Sequence, residues 1–391
     1  MSGNGPGPRT IAVLTTGRQD WGILRSACAA IRDQPGLALS LAAGGMSLSA
    51  AHGHTVDALV ADGFAPDARL AWLPEDPAAP LPAPEAQAAG ALTAVGAWLR
   101  ATRPDALLLV GDRLETAAAA LAATLAGVPI VHLHGGEQTL GAFDDALRHA
   151  ITKLAHLHLV SHEEHALRVI AMGEDPASVH VVGAPGLDNL GRADLPGREA
   201  LAVRLGIPLT APVVVVTVHP ATLAADPTAT ATAVAEAMRA VPATYVVTLP
   251  NTDPGGDSVA ATMRAAAEAT GGAAVAALGE RGYWALLRVA DAMLGNSSSG
   301  VIEAPVLDLP VVNVGDRQAG RRRDANVIDV ADDAAAIAGA LRRALDPGFR
   351  PGLPAADARL ADGRAGERVA RIIAAWQPPT PPRKPPIRMA T

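Results

Sequence analysis

Several short polar clusters in this sequence carry the residue types that exchange protons or hold anions. GDRLE at 111–115 sets Asp112 and Arg113 together, and HLHGGEQTLGAFDD at 132–145 crowds His132, His134, Gly135, Gly136, Glu137 and Asp144 into fourteen residues. Paired carboxylates and imidazoles at such spacing suit general acid–base work. Thr217-Val218-His219-Pro220 ends an all-apolar run in a histidine, which can act as an acid, a base or a phosphate donor. GNSSSGVIEAP at 295–305 is a Gly/Ser turn opening a helix, where backbone N–H groups, Ser297, Ser298, Ser299 and Gly300 could receive a phosphate. Glu303 follows on the same helix, placed to accept from ribose hydroxyls. The plainer reading of that turn is an N-cap, since serine is a favoured cap. No lysine follows it, so it is not a P-loop. GDRQAGRRR at 315–323 suits a phosphate or carboxylate, with Arg317 nearest the strand end, or it is a solvated basic loop. Likewise GDRLE could be a helix cap with a surface ion pair. His132 and His134 alternate by two and share a strand face, but a metal site needs a third ligand. No metal and no cofactor are expected.

These clusters need elements to position them. Strand-like runs read at 11–15, 38–43, 105–110, 129–133, 156–161 and 178–182, with helical patterns between them. The stretch 184–199, with Pro185, Gly186, Pro196 and Gly197, reads as a linker, after which strands recur at 213–218, 244–249, 274–278, 291–295 and 310–314. Strands alternating with helices predict parallel sheets. The fold class expected is α/β, two Rossmann-like domains facing across a cleft. The N-terminal domain spans 1–190, the C-terminal domain 200–362, and a late helix 363–376 precedes a disordered proline-rich tail at 377–391. Open α/β sheets bind ligands at the carboxyl ends of their strands. Arg18 and Asp20 follow the first strand, and the other clusters follow later ones.

Composition narrows the function classes. The 391 residues are 49% hydrophobic but only 3% aromatic, so alanine, valine and leucine must build the core. A formal net charge of −7 argues against nucleic acid as a partner. No apolar run reaches the length of a membrane span, and the opening MSGNGPGPRT lacks a signal-peptide core. The single cysteine, Cys28, excludes an internal disulfide. A cytoplasmic protein is expected, with no membrane partner, assembled as a homo-oligomer.

The longer motifs resemble the hydrolysing UDP-N-acetylglucosamine 2-epimerases of the sialic-acid pathway. The text that carries the resemblance is GRQDWGIL, GDRLETAAAALA, HLHGGEQTLGAFDDALRHAITKLAHLHLVS, MGEDPASVHVVGAPGLDNL, VTVHPATL, LPNTDPGG, GNSSSGVIEAP, GDRQAGRRRDANVIDV and DGRAGERV, from about residue 11 to 375. The resemblance implies the B-type glycosyltransferase fold and a small-molecule partner, a nucleotide sugar or sugar phosphate. It also implies a mechanism: C2 deprotonation, loss of UDP from C1, and hydration of the glycal to N-acetylmannosamine. Carried over by residue, it makes Asp112 and Asp144 acid–base carboxylates and sets His219 at the leaving diphosphate. Arg18 and Arg113 become phosphate or sugar contacts. Asn251, Ser297, Ser298, Ser299, Gly300, Glu303 and Arg317 become nucleotide-side ligands. The second acid–base role falls to His134 or Glu137, because the wider superfamily has a glutamate where His134 stands.

Two departures fall in the half that the resemblance assigns to the sugar. A Gly-Met-His-Leu-Ser sequence is usual where this chain has Gly45-Met46-Ser47-Leu48-Ser49, and the segment 74–94 is alanine- and proline-rich. An altered sugar specificity is therefore expected. The alternative function is an epimerase of another sugar phosphate or nucleotide sugar, in specialised metabolism on the same scaffold. Retention of Asp112, Asp144 and His219 speaks against a non-catalytic sensor.

Overall fold

The computed structural model describes residues 7–50, 54–74, 76, 79–140, 142–221, 226–250, 255–354 and 362–384, excluding the side chains of Arg18 and Gln19. The chain divides into two compact units. The first comprises 1–137, 144–191 and 359–391, and the second 138–143 and 192–358.

The first unit contains β1 (Arg9–Thr15), α1 (Arg18–Asp33), β2 (Leu37–Gly44), α2 (Val56–Ala61), β3 (Ala68–Leu70), α3 (Pro84–Thr102) and β4 (Ala106–Val110). It continues through α4 (Leu114–Ala126), β5 (Ile130–Leu133), α5 (Asp144–Leu154), β6 (Leu157–Val160), α6 (Glu163–Ala171) and β7 (Val179–Val181). Its strands form one parallel sheet in the order β3-β2-β1-β4-β5-β6-β7. The second unit runs from α7 (Arg198–Leu205) through β8 (Val213–Thr217), α8 (Ala229–Ala240), β9 (Thr244–Thr248), α9 (Gly256–Ala269), β10 (Ala273–Val275) and α10 (Gly279–Val289). It ends with β11 (Ala292–Gly295), α11 (Ser299–Ile302), β12 (Val311–Val314), β13 (Val327–Val330) and α12 (Ala334–Ala344). Its parallel sheet has the order β10-β9-β8-β11-β12-β13.

Both sheets follow the doubly wound pattern, in which strand order reverses beside the first strand and a ligand crevice opens there. The reversal falls between β1 and β4 in one sheet and between β8 and β11 in the other. The residues explain the placement. Strands covered on both faces must be apolar throughout, and ALLLV of β4 and VVVVT of β8 are buried at every position. Helix α4 turns Ala118, Ala119, Ala122 and Ala123 inward. Such small side chains let helices pack closely without aromatic filling.

The structure also departs from the sequence reading. The 184–199 stretch is not all linker: 185–191 forms a 3-10 turn with Pro185, Gly186, Leu187 and Asn189 buried, and α7 begins at Arg198. Asp188 of that turn accepts from the N–H groups of Ala365 (3.1 Å) and Gly366 (2.8 Å). It thereby caps α13 (Ala365–Ala375), which packs on α1 in the first unit. The helix expected to open from the Gly/Ser turn at 295–305 is only a four-residue turn at Ser299–Ile302, followed by a 3-10 turn at Pro305–Leu307. The tail is not disordered as far as residue 384. Lys384 Nζ donates to the carbonyls of Lys153 (2.8 Å) and Thr152 (3.2 Å) and pairs with buried Glu174 at 2.5 Å. A cation at the end of α5 satisfies carbonyls that the helix leaves unpaired. No helix among the described residues is long and apolar enough to cross a membrane.

Candidate active site

In the first unit, the carboxyl ends of β1, β4 and β5 and the start of α5 carry the titratable groups. Asp20, in the first turn of α1, accepts from Thr16 N–H (2.8 Å) and Thr16 Oγ1–H (2.7 Å). Burial raises its carboxyl to about 6; the hydrogen bonds from Thr16 and the nearby Arg113 offset part of that rise. After β4, Arg113 opens α4 and forms an ion pair with buried Glu115 (Nε–Oε2 3.3 Å). The turn between them is fixed from beneath. His132 is fully buried, and its Nε2–H donates to the Gly111 carbonyl at 2.8 Å. Burial lowers its imidazole to about 3, so His132 is a neutral strut.

The central finding of this unit is Arg148, which the sequence reading passed over. Its side chain is 2% exposed and pairs with Asp112 through Nη2 and with Asp145 Oδ1 through Nη1 at 3.4 Å. Asp112 and Asp145 remain partly exposed at 20% and 17%. Arg148 lies one helical turn beyond Asp144, so both occupy one face of α5. The i,i+4 spacing of Asp144 and Arg148 on a helix was the sequence signal for it. His134 and Glu137 form a second pair, Nδ1 to Oε1 at 2.6 Å, both nearly buried. His149 faces Asp145 at 3.4 Å, and His158 faces Glu174 at 3.1 Å.

The second unit gathers its polar groups at the ends of β8 and β11. His219 and Asn296 grip each other through backbone and side chain: His219 N–H donates to Asn296 Oδ1 (2.7 Å) and Asn296 Nδ2 donates to the His219 carbonyl (2.8 Å). Gly295 makes this closeness feasible. Its φ is +134°, and a Cβ there would sit 2.0 Å from the Thr217 carbonyl oxygen. The Asn296 carbonyl accepts from Gln318 Nε2 (2.9 Å) and Arg317 Nη1 (3.2 Å), which brings Arg317 to the same turn. Ser297 and Ser298 are partly exposed, and Ser299 is buried and takes the Tyr283 hydroxyl at 2.7 Å. The Gly300 N–H is spent on the Ser297 carbonyl (3.2 Å), so it is no free donor. Glu303 caps the end of the α11 turn.

The basic loop is largely committed. Arg321 donates to the Gln138 carbonyl (3.0 Å) and to Thr139 Oγ1 (3.1 Å), and Arg323 pairs with Asp329 at 3.1 Å. The structure thus places Asp112 and Arg113 after β4, His134 and Glu137 after β5, and Asp144 at the start of α5, all in one unit, with Asp112 tied to α5 through Arg148 and His134 paired with Glu137. It brings together His219, Ser297, Ser298, Ser299, Gly300, Glu303 and Arg317 in the other. The Arg18 side chain and Asn251 lie outside the described residues. Asn296, Gln318 and Tyr283 were missed with Arg148. Asn296 at least was signalled by its place inside the GNSSSG turn.

Two doubly wound α/β units, with titratable groups at the strand ends of one sheet and mostly neutral donors and acceptors at those of the other, make up the B-type glycosyltransferase fold. The UDP-N-acetylglucosamine 2-epimerase family model matches residues 29–374. A Legionella pneumophila UDP-N,N'-diacetylbacillosamine 2-epimerase (hydrolysing) is 34% identical over 367 residues, covering 93% of this chain and 95% of that one. A Campylobacter jejuni GDP/UDP-N,N'-diacetylbacillosamine 2-epimerase (hydrolysing) is 31% identical over 325 residues, covering 82% and 84%. The solved Neisseria meningitidis UDP-GlcNAc 2-epimerase bound to UDP-GlcNAc shares the fold, with a TM-score of 0.75 at 14% identity over 94% of this chain and 100% of that one. The chain belongs to the UDP-N-acetylglucosamine 2-epimerase family and is a sugar epimerase.

Proposed function

We propose that the protein is a hydrolysing 2-epimerase of a UDP-linked 2-acetamido sugar. The observation that carries this reading is the Asp112–Arg148–Asp145 ion-pair cluster beside Asp144, a set of partly exposed carboxylates held rigidly at a sheet's ligand-binding end. In the reaction a base takes the C2 proton, and the C–H electron pair becomes the C1=C2 bond. The C1–O bond breaks, and its electrons leave with the diphosphate oxygen of UDP. Water then adds its hydroxyl at C1, and a proton returns to C2 on the opposite face. Inversion requires proton-transfer groups on both faces, which accounts for more than one acid–base residue in the first unit. Asp112 and Asp144 supply carboxyl groups. His219, fixed by Asn296, donates to the departing diphosphate, a task in which a preorganised donor stabilises developing charge. Arg317, Ser297 and Ser298 hold the nucleotide side, and Glu303 accepts from the ribose. Arg113 contacts phosphate or sugar.

UDP-N-acetylglucosamine giving N-acetylmannosamine is the substrate that the motifs favour. The second reading, UDP-N,N'-diacetylbacillosamine, is favoured by the names of the two relatives described above. Incubation with each nucleotide sugar in deuterated water, followed by NMR, separates them. UDP release with one deuterium at C2 is expected, and the substrate with the larger kcat/KM is the assigned one. Absence of UDP release from both would overturn the proposal.

A further inference from the structure

His134 stands in a left-handed backbone conformation, φ +64°, which a residue with a side chain adopts at a cost. Its Nδ1 lies 2.6 Å from Glu137 Oε1. The same oxygen accepts from the Ser161 hydroxyl at 3.0 Å, and Ser161 Oγ in turn faces His165 Nδ1 at 3.0 Å. The other ring nitrogen, Nε2, is buried and has no partner among the described residues. An unpaired buried polar atom is destabilising, so the fold carries both backbone strain and an unmet nitrogen at one residue. Such costs concentrate where function requires them.

The hydrogen bonds decide which nitrogen can react. An ionised carboxylate only accepts, so Nδ1 must carry the proton that it shares with Glu137. In the neutral ring Nε2 is then a bare lone pair. Burial lowers the His165 imidazole to about 4, so the far end of the chain is neutral and can donate Nδ1–H to Ser161. The hydroxyl is left to donate to Glu137. Two donors on one carboxylate oxygen lock the dyad in place.

We infer that His134 and Glu137 divide the second acid–base role between them: His134 Nε2 takes the C2 proton, and Glu137 is the positioning residue that fixes the tautomer. The inference rests on the proposed epimerase reaction. Nε2 gains the proton as the C–H pair forms the C1=C2 bond and UDP leaves, and a carboxyl group of the pair Asp112 and Asp144 returns a proton on the opposite face. Because Nε2 is covered here, substrate binding must uncover it.

Two measurements test this. Long-range proton–nitrogen NMR of the histidine rings reads the tautomer without needing activity. His134 should carry its proton on Nδ1, and Glu137→Ala should abolish that preference; a proton on Nε2 in the wild type would overturn the inference. In deuterated water, His134→Gln should lower kcat at least about 100-fold while calorimetric UDP affinity stays within about threefold. Glu137→Gln should lower kcat with little change in KM and displace the pH profile. His134→Gln with wild-type kcat, or a substrate-bound crystal structure with Nε2 still covered, would also overturn it. A wild type that releases no UDP sinks the epimerase reading instead, and the tautomer spectrum still judges the dyad.

Discussion

The two units share one strand order and differ in what they place at the strand ends. In the first unit the ends carry charges that answer one another: Arg148 with Asp112 and Asp145, Arg113 with Glu115, and His134 with Glu137. In the second unit the ends carry mostly neutral donors and acceptors: Asn296, Gln318, Ser297 and Tyr283, with His219 and Arg317 among them. Proton exchange needs titratable groups whose positions are fixed, and ion pairs fix them. Holding a nucleotide needs directional donors that keep their form across pH. Under the proposed reaction the same scaffold would serve two tasks through the side chains that close each strand, and variants in each unit probe that division.

The largest effect is expected at Arg148. Removing one member of a buried ion pair leaves its partners uncompensated, at about 3–5 kcal/mol. Arg148→Gln should fall at the low end, about 3 kcal/mol, because Asp112 and Asp145 are 20% and 17% exposed and water can reach them. Turnover should drop at least about 100-fold as the carboxylates lose their positions. Chemical denaturation with steady-state kinetics checks both. A variant of native stability and full kcat would show that the charge cluster is not the catalytic framework of the first unit.

His219 tests the boundary of the division, as the group of the second unit assigned a part in bond breaking. His219→Ala should keep its circular dichroism spectrum and lose at least about 100-fold in kcat. An unchanged kcat with a raised KM would make the second unit purely a binding surface.

Asp20 gives a smaller effect that pH reveals. Its folded carboxyl sits at about 6 against an ordinary value of 3.8, because burial disfavours the anion. The folded state therefore binds more protons than the unfolded state between those values, so this residue's contribution to stability falls as pH rises from about 4 to about 6. Asp20→Asn should remove that slope. Urea unfolding of both proteins at pH 4.5 and pH 7 reads the difference, and equal slopes would contradict the burial argument.

Much of this was legible in the sequence. Apolar runs such as ALLLV and VVVVT mark buried parallel strands, and the polar clusters after them fall at the strand ends. What escaped had weak local signals. Strand β3 is three residues long, and β13 is an edge strand with Asp329 in its middle. The alanine-rich α12 has helix propensity but no polar cluster to draw attention. The return of α13 to the first unit depends on Asp188, 177 residues earlier, accepting from its first turn. The pairing of Arg148 with Asp112 spans 36 positions, which no local pattern predicts. The motif resemblance named Asp112 as an acid–base residue, but only the fold showed what holds it.

The smallest effect is expected at Ser47, where the sequence departs from the pattern it resembles. The expectation of altered sugar specificity rested on two departures, the alanine- and proline-rich 74–94 segment and a serine hydroxyl replacing an imidazole at the ligand. Ser47 is instead fully buried, its N–H donates to the Thr16 carbonyl at 3.0 Å, and its Oγ has no partner among the described residues. The space beside it is taken by Trp72. A Cβ on Gly44 would fall 2.4 Å from that ring, and one on Gly45 2.6 Å from it. The turn carrying Ser47 is thus pressed against an indole. A buried hydroxyl without a partner is a cost, so Ser47→Ala should raise stability by about 1 kcal/mol. It should leave kcat/KM for the assigned UDP-sugar within about threefold. Trp72→Ala should change KM more than Ser47→Ala does, because it opens the slot that the three glycines Gly44, Gly45 and Gly90 line. The measurement is a comparison of KM and thermal midpoint across the two variants. A tenfold rise in KM for Ser47→Ala at unchanged kcat would mean that substrate draws the hydroxyl out of its buried site, and it would place sugar discrimination at Ser47 after all.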